Sequence, residues 1–394
     1  MTTPDAGAHA GPDAGPDAGA GSAPAEPFHW EPEHEEFRGI VRKLTASRAP
    51  LACAPSPESD DTRERGLWRS WAEEVGLPGL VVPEEHGGAG FSRLEMAIAA
   101  EELGRAVVGG PLFSSAVLAT EALLAAGQDE TAADVLPSLA AGESVAALAV
   151  LEESRRWRPE DVATAVSGDG GRLSGDKHMV VGAADADLLV VAAKEEAGVS
   201  LFLVETGAAG VEIAPCEVLD PSRPIASVRL REAPARRIGP AGEGWPPVER
   251  ALEAGAVFLA SEQVGGSRAL LDAAVEHAKT RVQFGRPIGV FQGVKHRLAD
   301  MAVRTELAGA AATWAAWQPS GTGSARLGAA VARAHCSESY LETALDAIQV
   351  HGGMAITWEH HAHRYLRRAR ADASVLPGAA EQRRVLEEMI GEGV

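Results

Sequence analysis

The spacing of apolar residues divides the chain into three parts. From about residue 28 to 144, apolar positions recur with a period near 3.6, as in the stripe that carries Val41 and Leu44, which predicts amphipathic helices. Between residues 145 and 238 the period falls to two, the spacing of half-buried strands. Over residues 239–394, long Ala-rich helical patterns return with short loops between them, which predicts an antiparallel helical bundle.

The middle part predicts a compact β domain, either a small barrel or a sandwich. Its short apolar runs are separated by Asp-Gly, Ser-Gly and Ala-Gly pairs, and no helical crossover of the kind a parallel sheet needs lies between them. No G-x-G-x-x-G stands between a strand and a helix, which argues against a Rossmann cofactor site. The runs that predict strands are 145–151, 177–181, 188–192, 200–204 and 227–230. The predicted fold class is therefore α+β, multidomain and mostly α.

The first 27 residues differ from the rest of the chain. They consist largely of Gly, Ala, Pro and Asp with a short near-repeat, Ala-Gly-Pro-Asp-Ala-Gly-Pro-Asp. Such a tract has almost no apolar surface to bury, so residues 1–27 are predicted to be a disordered tail.

A turn between two helices of the bundle carries the most distinctive local pattern. Arg281 ends one helix, Gly285 and Pro287 mark the turn, and Gln292 opens the next helix. A guanidinium group beside helix ends is suited to a phosphate or pyrophosphate. A solvated arginine at the corner of a helical hairpin fits the same pattern, and the residues alone leave both interpretations open.

Two motifs in this region resemble the signature of the acyl-CoA dehydrogenase family, flavoproteins that oxidise acyl thioesters. The first, R-x-x-F-G followed by a Gln, is matched by Arg281, Phe284, Gly285 and Gln292. The second, Q-x-x-G-G, is matched by Gln349, Gly352 and Gly353. The family's P-E-x-x-G-G-x-G turn and E-E-L-G helix end are matched by residues 83–90 and 101–104. The resemblance covers residues from about 30 to 388.

The resemblance implies FAD bound between the β domain and the bundle, with its adenine end reaching a neighbouring subunit. Arg281 and Gln292 would hold the phosphates, Phe284 belongs to the same motif, and Gln349, Gly352 and Gly353 would pass close to the dinucleotide. A plain helix C-cap is the alternative for the two glycines. The implied reaction introduces an α,β double bond into acyl-CoA or another acyl thioester by proton abstraction and hydride transfer to the flavin. The implied electron acceptor is another flavoprotein or oxygen.

The catalytic base is where this sequence departs from the family. The family places its glutamate in one of two slots, which fall here at Gly255 and Leu376, and neither is a carboxylate. Glu262 shares a helix face with Gly255, two turns away, and is the best candidate base. A polar residue at a helix or subunit contact is its alternative role. Glu249 and Glu253 point well away from Gly255, and Asp372 and Glu381, about one turn from the Leu376 slot, are weaker candidates.

The segment expected beside the flavin also departs from the pattern. Leu151 stands where the family carries a threonine hydroxyl, and Met179 stands where the family often stacks a tryptophan. A leucine cannot give the hydroxyl hydrogen bond, whereas a methionine can still pack on an aromatic ring. An arginine cluster with members Arg364, Arg367, Arg368 and Arg370 predicts a solvated or inter-subunit face.

Composition sets outer bounds on function. A formal charge of −20 argues against nucleic acid as a partner. The 3 cysteines, the absence of a signal-like start and the absence of a long apolar run predict a cytoplasmic protein without a membrane span. Three functions fit: an acyl-CoA dehydrogenase with Glu262 or another group as base, a base-less partner subunit of a catalytic homologue, or different flavin chemistry on a specialised metabolite. A homo- or hetero-oligomer, dimer or tetramer, is expected.

Overall fold

The computed structural model describes residues 28–49, 62–168 and 171–391. Helices, a β sheet and a second set of helices follow one another along the chain, which confirms the predicted fold class. The predicted disordered tail, residues 1–27, lies outside the described residues. Within the described ranges, no helix is long and apolar enough to cross a membrane.

The N-terminal part is helical. Ser92 caps the third helix: its hydroxyl accepts from the Leu94 N–H, and the Glu95 carboxylate accepts from the Ser92 N–H in a capping box. A π-helical segment, Leu112–Ala119, runs directly into the fourth helix. The helices are α1 Pro32–Arg48, α2 Thr62–Val75, α3 Arg93–Arg105, α4 Thr120–Ala125 and α5 Glu130–Ala140.

The middle part is one mixed sheet. Its strands are β1 Ala146–Ala149, β2 Ala165–Ser167, β3 Arg172–Val181, β4 Leu188–Glu195, β5 Gly198–Glu205, β6 Val211–Pro215, β7 Ile225–Pro234 and β8 Arg236–Ile238. They pair in the order β6-β7-β3-β2-β4-β5-β8, with β1 added on β4. The pairings of β4 with β1 and β2 are parallel, although no helix connects them, so the rejection of parallel pairing was wrong for these two strands.

Pattern reading missed three strands for a common reason. β2, β6 and β8 contain 3 to 5 residues and are partly exposed, so their sequences carry little apolar alternation. The five runs predicted from period two all lie within or across observed strands.

The C-terminal part is a bundle of long helices. A tight hairpin, β9 Val282–Gln283 and β10 Arg286–Pro287, connects the first two helices at the turn that the Gly285 and Pro287 signals predicted. Phe284 and Gly285 both have positive φ, 54° and 77°, in this turn. The helices are α6 Trp245–Thr280, α7 Gln292–Trp317, α8 Gly323–His351, α9 Ala362–Val375 and α10 Ala379–Gly391.

Two glycines let the bundle contact the N-terminal helices backbone to backbone. A Cβ atom on Gly104 of α3 would lie 2.0 Å from the Glu262 carbonyl oxygen of α6. A Cβ atom on Gly265 of α6 would lie 1.8 Å from the Glu101 carbonyl oxygen of α3. Because any side chain larger than hydrogen would clash at these two positions, both must be glycine for the helices to pack this closely. The two contacts fix the position of α6 along α3 and its rotation about its own axis.

Candidate functional site

Three helix ends bring the predicted flavin contacts to one end of the bundle. The end of α6 and the end of α8 are joined by His277 and His351, whose ring centroids lie 4.5 Å apart. The start of α7 is tied to the end of α8 by the ion pair between Arg297 and Asp346. This corner, defined as residues 281–292 and 349–353, therefore gathers both family motifs, which are far apart in the sequence. Phe284 is placed in the turn of the β9–β10 hairpin.

The corner is exposed in the single chain. Arg281, Gln292, Gln349, Gly352 and Gly353 are all solvent-exposed, and nothing lies within 4 Å of a Cβ atom placed on either glycine. Large apolar side chains surround these polar groups: Val282, Phe284, Val290, Met354, Ile356 and Trp358 are exposed, with Phe284 at 90% and Ile356 at 72%. Exposed apolar side chains of this kind are typical of surfaces that contact another molecule.

The two base slots meet in space. A Cβ atom on Gly255 would lie 2.8 Å from Cδ1 of Leu376, 2.6 Å from Cδ2 of Leu118 and 3.5 Å from Cε2 of Phe113. Phe113 stacks on Phe258 of α6, with ring centroids 5.4 Å apart. The place where either slot would present a carboxylate is therefore filled by packed hydrocarbon, which we call the apolar plug.

The apolar plug predicts that enlarging Gly255 lowers the stability of the protein. Gly255→Ala adds a methyl group in contact with Leu118 and Leu376, so the free energy of unfolding in urea is expected to fall by about 1–3 kcal/mol. Gly39→Ala, on the exposed face of α1 where a Cβ meets nothing within 4 Å, is the control and should raise stability by about 0.5–1 kcal/mol. Equal effects of the two substitutions would contradict the packing.

Glu262 is buried in an ion-pair network. Its side chain is 4% exposed and accepts hydrogen bonds from Arg223, in the turn between β6 and β7, and from Arg368 of α9. Arg368 also donates to the Asp220 carboxylate at 2.6 Å. Both Glu262 oxygens are thus occupied by guanidinium donors, and its role as catalytic base stays a prediction.

The same network joins all three parts of the chain. Nη2 of Arg368 donates to the carbonyl oxygens of Val108 and Ser222 at 3.0 and 3.1 Å. Asp372, one turn along α9, is fully buried, and burial raises the pKa of its carboxyl to about 6. Nη2 of Arg223 lies 3.3 Å from Oδ1 of Asp372 without hydrogen-bond geometry.

Sequence reasoning missed the buried role of two of these arginines. Arg368 was assigned to a solvated or inter-subunit face with its neighbours, but it is 1% exposed. Arg223 carried no signal, because a lone arginine in a turn gives no indication of the partner it meets. The spacing did contain a hint: Arg368 lies four residues before Asp372 on a helix, where two residues share one face.

The segment expected beside the flavin is fixed by a buried ion pair. Glu152 accepts hydrogen bonds from Nζ of Lys177 at 2.6 Å, from the Thr164 N–H at 3.0 Å and from its hydroxyl at 2.8 Å. Lys177 is fully buried, and burial lowers its pKa to about 8. Leu151 is buried beside this pair, and Met179 has a positive φ of 53°. The pair between Glu152 and Lys177 therefore holds the backbone here, although Leu151 lacks the threonine hydroxyl of the family pattern.

Three imidazole rings form a row beside the corner. His351 lies between His277 and His360, with ring centroids 4.5 and 4.4 Å away. Burial and the neighbouring imidazoles lower the pKa of His360 to about 4, and burial also lowers the pKa of His277. In the described part of the chain, no group of three or more His, Cys, Asp or Glu side chains is arranged to hold a metal ion.

The row of three imidazole rings predicts that the protein becomes less stable in acid. Because an unfolded histidine binds a proton near pH 6.5 and folded His360 only near pH 4, the unfolding free energy should fall as pH drops from 6.5 to 4. His360 is partly exposed, so solvent screening limits the effect to about 1 kcal/mol. Urea unfolding across this range should give a smaller loss for His360→Asn than for the unchanged chain. An unaltered loss in His360→Asn would contradict the assignment.

Comparison with known proteins gives one consistent result. The models for the N-terminal and C-terminal domains of acyl-CoA dehydrogenase match residues 31–143 and 242–388. Acyl-CoA dehydrogenase IpdE2 of Mycobacterium tuberculosis is 35% identical over 361 residues, which cover 91% of this chain and 98% of IpdE2.

Solved structures agree with the sequence relatives. A variant of the Tcur3481-Tcur3483 steroid ACAD is 29% identical with a TM-score of 0.80, over 92% of this chain and 98% of that one. The ChsE4-ChsE5 complex from Mycobacterium tuberculosis contains a chain 27% identical with a TM-score of 0.81, over 93% of this chain and 100% of that one. The chain belongs to the acyl-CoA dehydrogenase family of FAD-dependent oxidoreductases.

Proposed function

We propose that this chain is the base-less subunit of a two-chain, FAD-dependent acyl-CoA dehydrogenase. In this assembly a homologous partner supplies the carboxylate that removes the α proton from an acyl thioester. This chain supplies one face of the flavin site and the scaffold that holds it. The observation that carries the proposal is the apolar plug at Gly255 and Leu376.

The plug leaves no place for a base at the position that the family uses. An α-proton base must reach the substrate within hydrogen-bond distance and must be able to hold a proton. Gly255 and Leu376 offer neither, and a carboxylate placed between Leu118 and Phe113 would be desolvated without a partner. A small cavity between α3, the π-helical segment and α6 has a volume of only about 10 Å³, so it does not hold an acyl chain. Both facts support a chain that does not itself oxidise a thioester.

Glu262 is a poor substitute for the missing base in this arrangement. It lies two turns from Gly255 along α6, and its carboxylate oxygens accept from Arg223 and Arg368. To take a proton it would first have to lose two charge-assisted hydrogen bonds inside the protein, each worth about 1.5–3 kcal/mol. The network supports a structural role for Glu262 and not a stand-alone dehydrogenase built on it.

The corner fits one end of an FAD molecule bound mainly by another chain. Arg281 and Gln292 provide exposed donors for phosphate oxygens, and the open space above Gly352 and Gly353 lets a dinucleotide approach the backbone. The exposed Phe284, with its apolar neighbours, fits the surface that surrounds such a contact. FAD, when bound, supplies the acceptor for the hydride that leaves the thioester.

Two of the solved structures similar to this chain carry paired names. ChsE4-ChsE5 is described as a complex, and Tcur3481-Tcur3483 is described as a steroid ACAD. A hetero-oligomer with such a homologue is the assembly that we propose, with acyl-CoA as substrate class and an external flavoprotein or oxygen as electron acceptor.

Co-expression tests this proposal. The chain purified alone should be colourless, and the chain co-expressed with a homologue that carries a glutamate at either slot should give a yellow complex. We expect about one FAD for each pair of chains, measured by visible absorbance against protein concentration. A stand-alone yellow protein with one FAD per chain would contradict the two-chain arrangement.

A further inference from the structure

A cavity lies at the opposite end of α6 from the corner. It has a volume of about 390 Å³ and lies where the start of α3, the end of α4, the start of α6 and the loop between α7 and α8 meet. Along the axis of α6, Arg250 in this cavity and Arg281 in the corner are roughly 45 Å apart. The lining shares no residue with the apolar plug, the corner or the segment expected beside the flavin. The cavity is therefore separate from the candidate flavin site.

One guanidinium group in the wall of this cavity has no partner. In the part of the chain that the structure describes, Arg250 donates no side-chain hydrogen bond and forms no ion pair, and its Nε is buried without an acceptor. The side chain is partly exposed, and its two Nη atoms are the ones that a ligand can reach. Buried donors in folded proteins nearly always have an acceptor, so an unpaired arginine on a cavity wall indicates a missing one.

The loop between α7 and α8 holds this guanidinium group in place. Gly321 has a positive φ of 78°, and a Cβ atom there would lie 1.7 Å from Nη1 of Arg250. Only glycine lets the loop backbone pass so close to the group. The Arg250 carbonyl also accepts from Nη2 of Arg93 at 3.3 Å, which ties this turn of α6 to the start of α3. The unpaired arginine is therefore packed against fixed backbone.

The charge balance of the lining favours an anion. Arg93 and Glu121 form a bidentate pair, with N–O distances of 3.1 and 2.8 Å, and neutralise each other. Since Arg250 is the remaining charged residue among the described lining residues, the cavity wall is positive. The charge of Arg250 also acts on Glu253, one turn along α6, but Glu253 does not line the cavity. An anion would meet net attraction here, whereas an ammonium group would meet net repulsion.

Apolar side chains form the rest of the walls. Phe91 and Trp317 line the cavity and are 54% and 41% exposed. The Trp317 ring is held by an edge contact with Phe28, with ring centroids 5.2 Å apart. The aliphatic lining residues are Val81, Leu124, Ala125, Ala316 and Pro319. A ligand with an apolar body would cover surface that the single chain leaves in contact with water.

We propose that this cavity binds a hydrophobic carboxylate, a carboxylate group on an aromatic or aliphatic body, with about ten non-hydrogen atoms in all. The carboxylate would accept hydrogen bonds from the Nη atoms of Arg250, and the body would lie against Phe91 and Trp317. The volume falls within the range of roughly 300–1,000 Å³ that is typical of small-molecule pockets. The carboxylate comes either from a free small molecule or from the chain terminus of a partner subunit.

Titration with phenylacetate tests the site in the full chain. Phenylacetamide and 2-phenylethylammonium are uncharged and cationic probes of nearly the same shape, and acetate lacks the apolar body. Calorimetry and tryptophan fluorescence should give saturable binding of phenylacetate, about tenfold tighter or more than of any of these three probes. Arg250→Met should weaken phenylacetate about tenfold or more, and Arg384→Met, at an exposed position on α10 outside the cavity, should not change it.

A second variant keeps the test decisive if Arg250→Met fails to fold. Phe91→Ser, at an exposed side chain, should then weaken phenylacetate about fivefold. Equal or tighter binding of phenylacetamide, 2-phenylethylammonium or acetate would overturn the proposal. Unchanged phenylacetate binding in a folded Arg250→Met or in Phe91→Ser, or no binding of any probe, would overturn it as well.

Repeating the titration on the complex with the partner chain identifies the source of the carboxylate. Loss of phenylacetate binding in the complex would assign the cavity to a chain terminus of the partner, and retained binding would assign it to a small molecule. Because the single-chain titration does not require the partner, this proposal and the two-chain proposal can fail separately.

Discussion

Replacing Arg368 with methionine is expected to lower the free energy of unfolding by about 3–5 kcal/mol. Arg368 is 1% exposed and donates to Glu262, Asp220, Ser222 and the Val108 carbonyl, which belong to all three parts of the chain. Its loss leaves buried Asp220 without its arginine partner and removes one of the two guanidinium donors of Glu262, and that penalty exceeds the packing that the methionine restores. Urea unfolding followed by circular dichroism measures the change.

The neighbouring arginine provides the control. Arg367 is adjacent in sequence and only partly buried, and its Nε donates to the Leu219 carbonyl at 2.7 Å. Arg367→Met should therefore cost about 1 kcal/mol or less. Adding Asp220→Asn to Arg368→Met should recover part of the loss, because the carboxylate left without its arginine partner is then neutral. A loss in Arg368→Met no larger than in Arg367→Met would contradict the network.

In the assembled complex, Arg281→Met is expected to weaken FAD binding by about 10- to 100-fold. The substitution keeps the length of the side chain but removes the charged donors that we assign to the flavin phosphates, and such bonds are worth about 1.5–3 kcal/mol each. Because Arg281 is exposed at the end of α6, its loss should leave the unfolding free energy of the single chain nearly unchanged. Flavin fluorescence during dilution and FAD titration measures the affinity.

A matched arginine separates a local effect from a general loss of charge. Arg229, on β7, is about half exposed and pairs with Asp176 at 2.8 Å, and Arg229→Met should leave FAD affinity within about twofold. If Arg281→Met and Arg229→Met behaved alike, the corner would not contact the flavin, and the proposed half-site would be wrong.

The sequence was sufficient to predict the larger architecture and the local motifs. The 3.6-residue periodicity and the return of Ala-rich patterns after Trp245 predicted the helices, and the signals at Gly285 and Pro287 predicted a turn between α6 and α7, though not its two short strands. These features depend on neighbours in sequence, which is why they can be read from it. Strands as short as β2 and β8 carry too few residues for the same reasoning.

Sequence reasoning could not predict the features that depend on tertiary contacts. Counting positions identified Gly255 and Leu376 as empty slots, but only the fold shows that both face one apolar plug. Helix geometry places Glu262 on the same face of α6 as Gly255, yet its two arginine partners come from the loop between β6 and β7 and from α9. Sequence spacing contains no information on such pairings, because they depend on how separate elements pack.

The most direct test of the base-less assignment is an anaerobic titration with a panel of acyl-CoA thioesters while the visible spectrum is recorded. With the chain alone, even when FAD is supplied, we expect no thioester to bleach the flavin. With the two-chain complex we expect bleaching, which should persist when Glu262 is replaced by glutamine in a protein that remains folded. Bleaching with the chain alone that disappears in Glu262→Gln would rule out the base-less assignment and would identify this chain as the dehydrogenase itself.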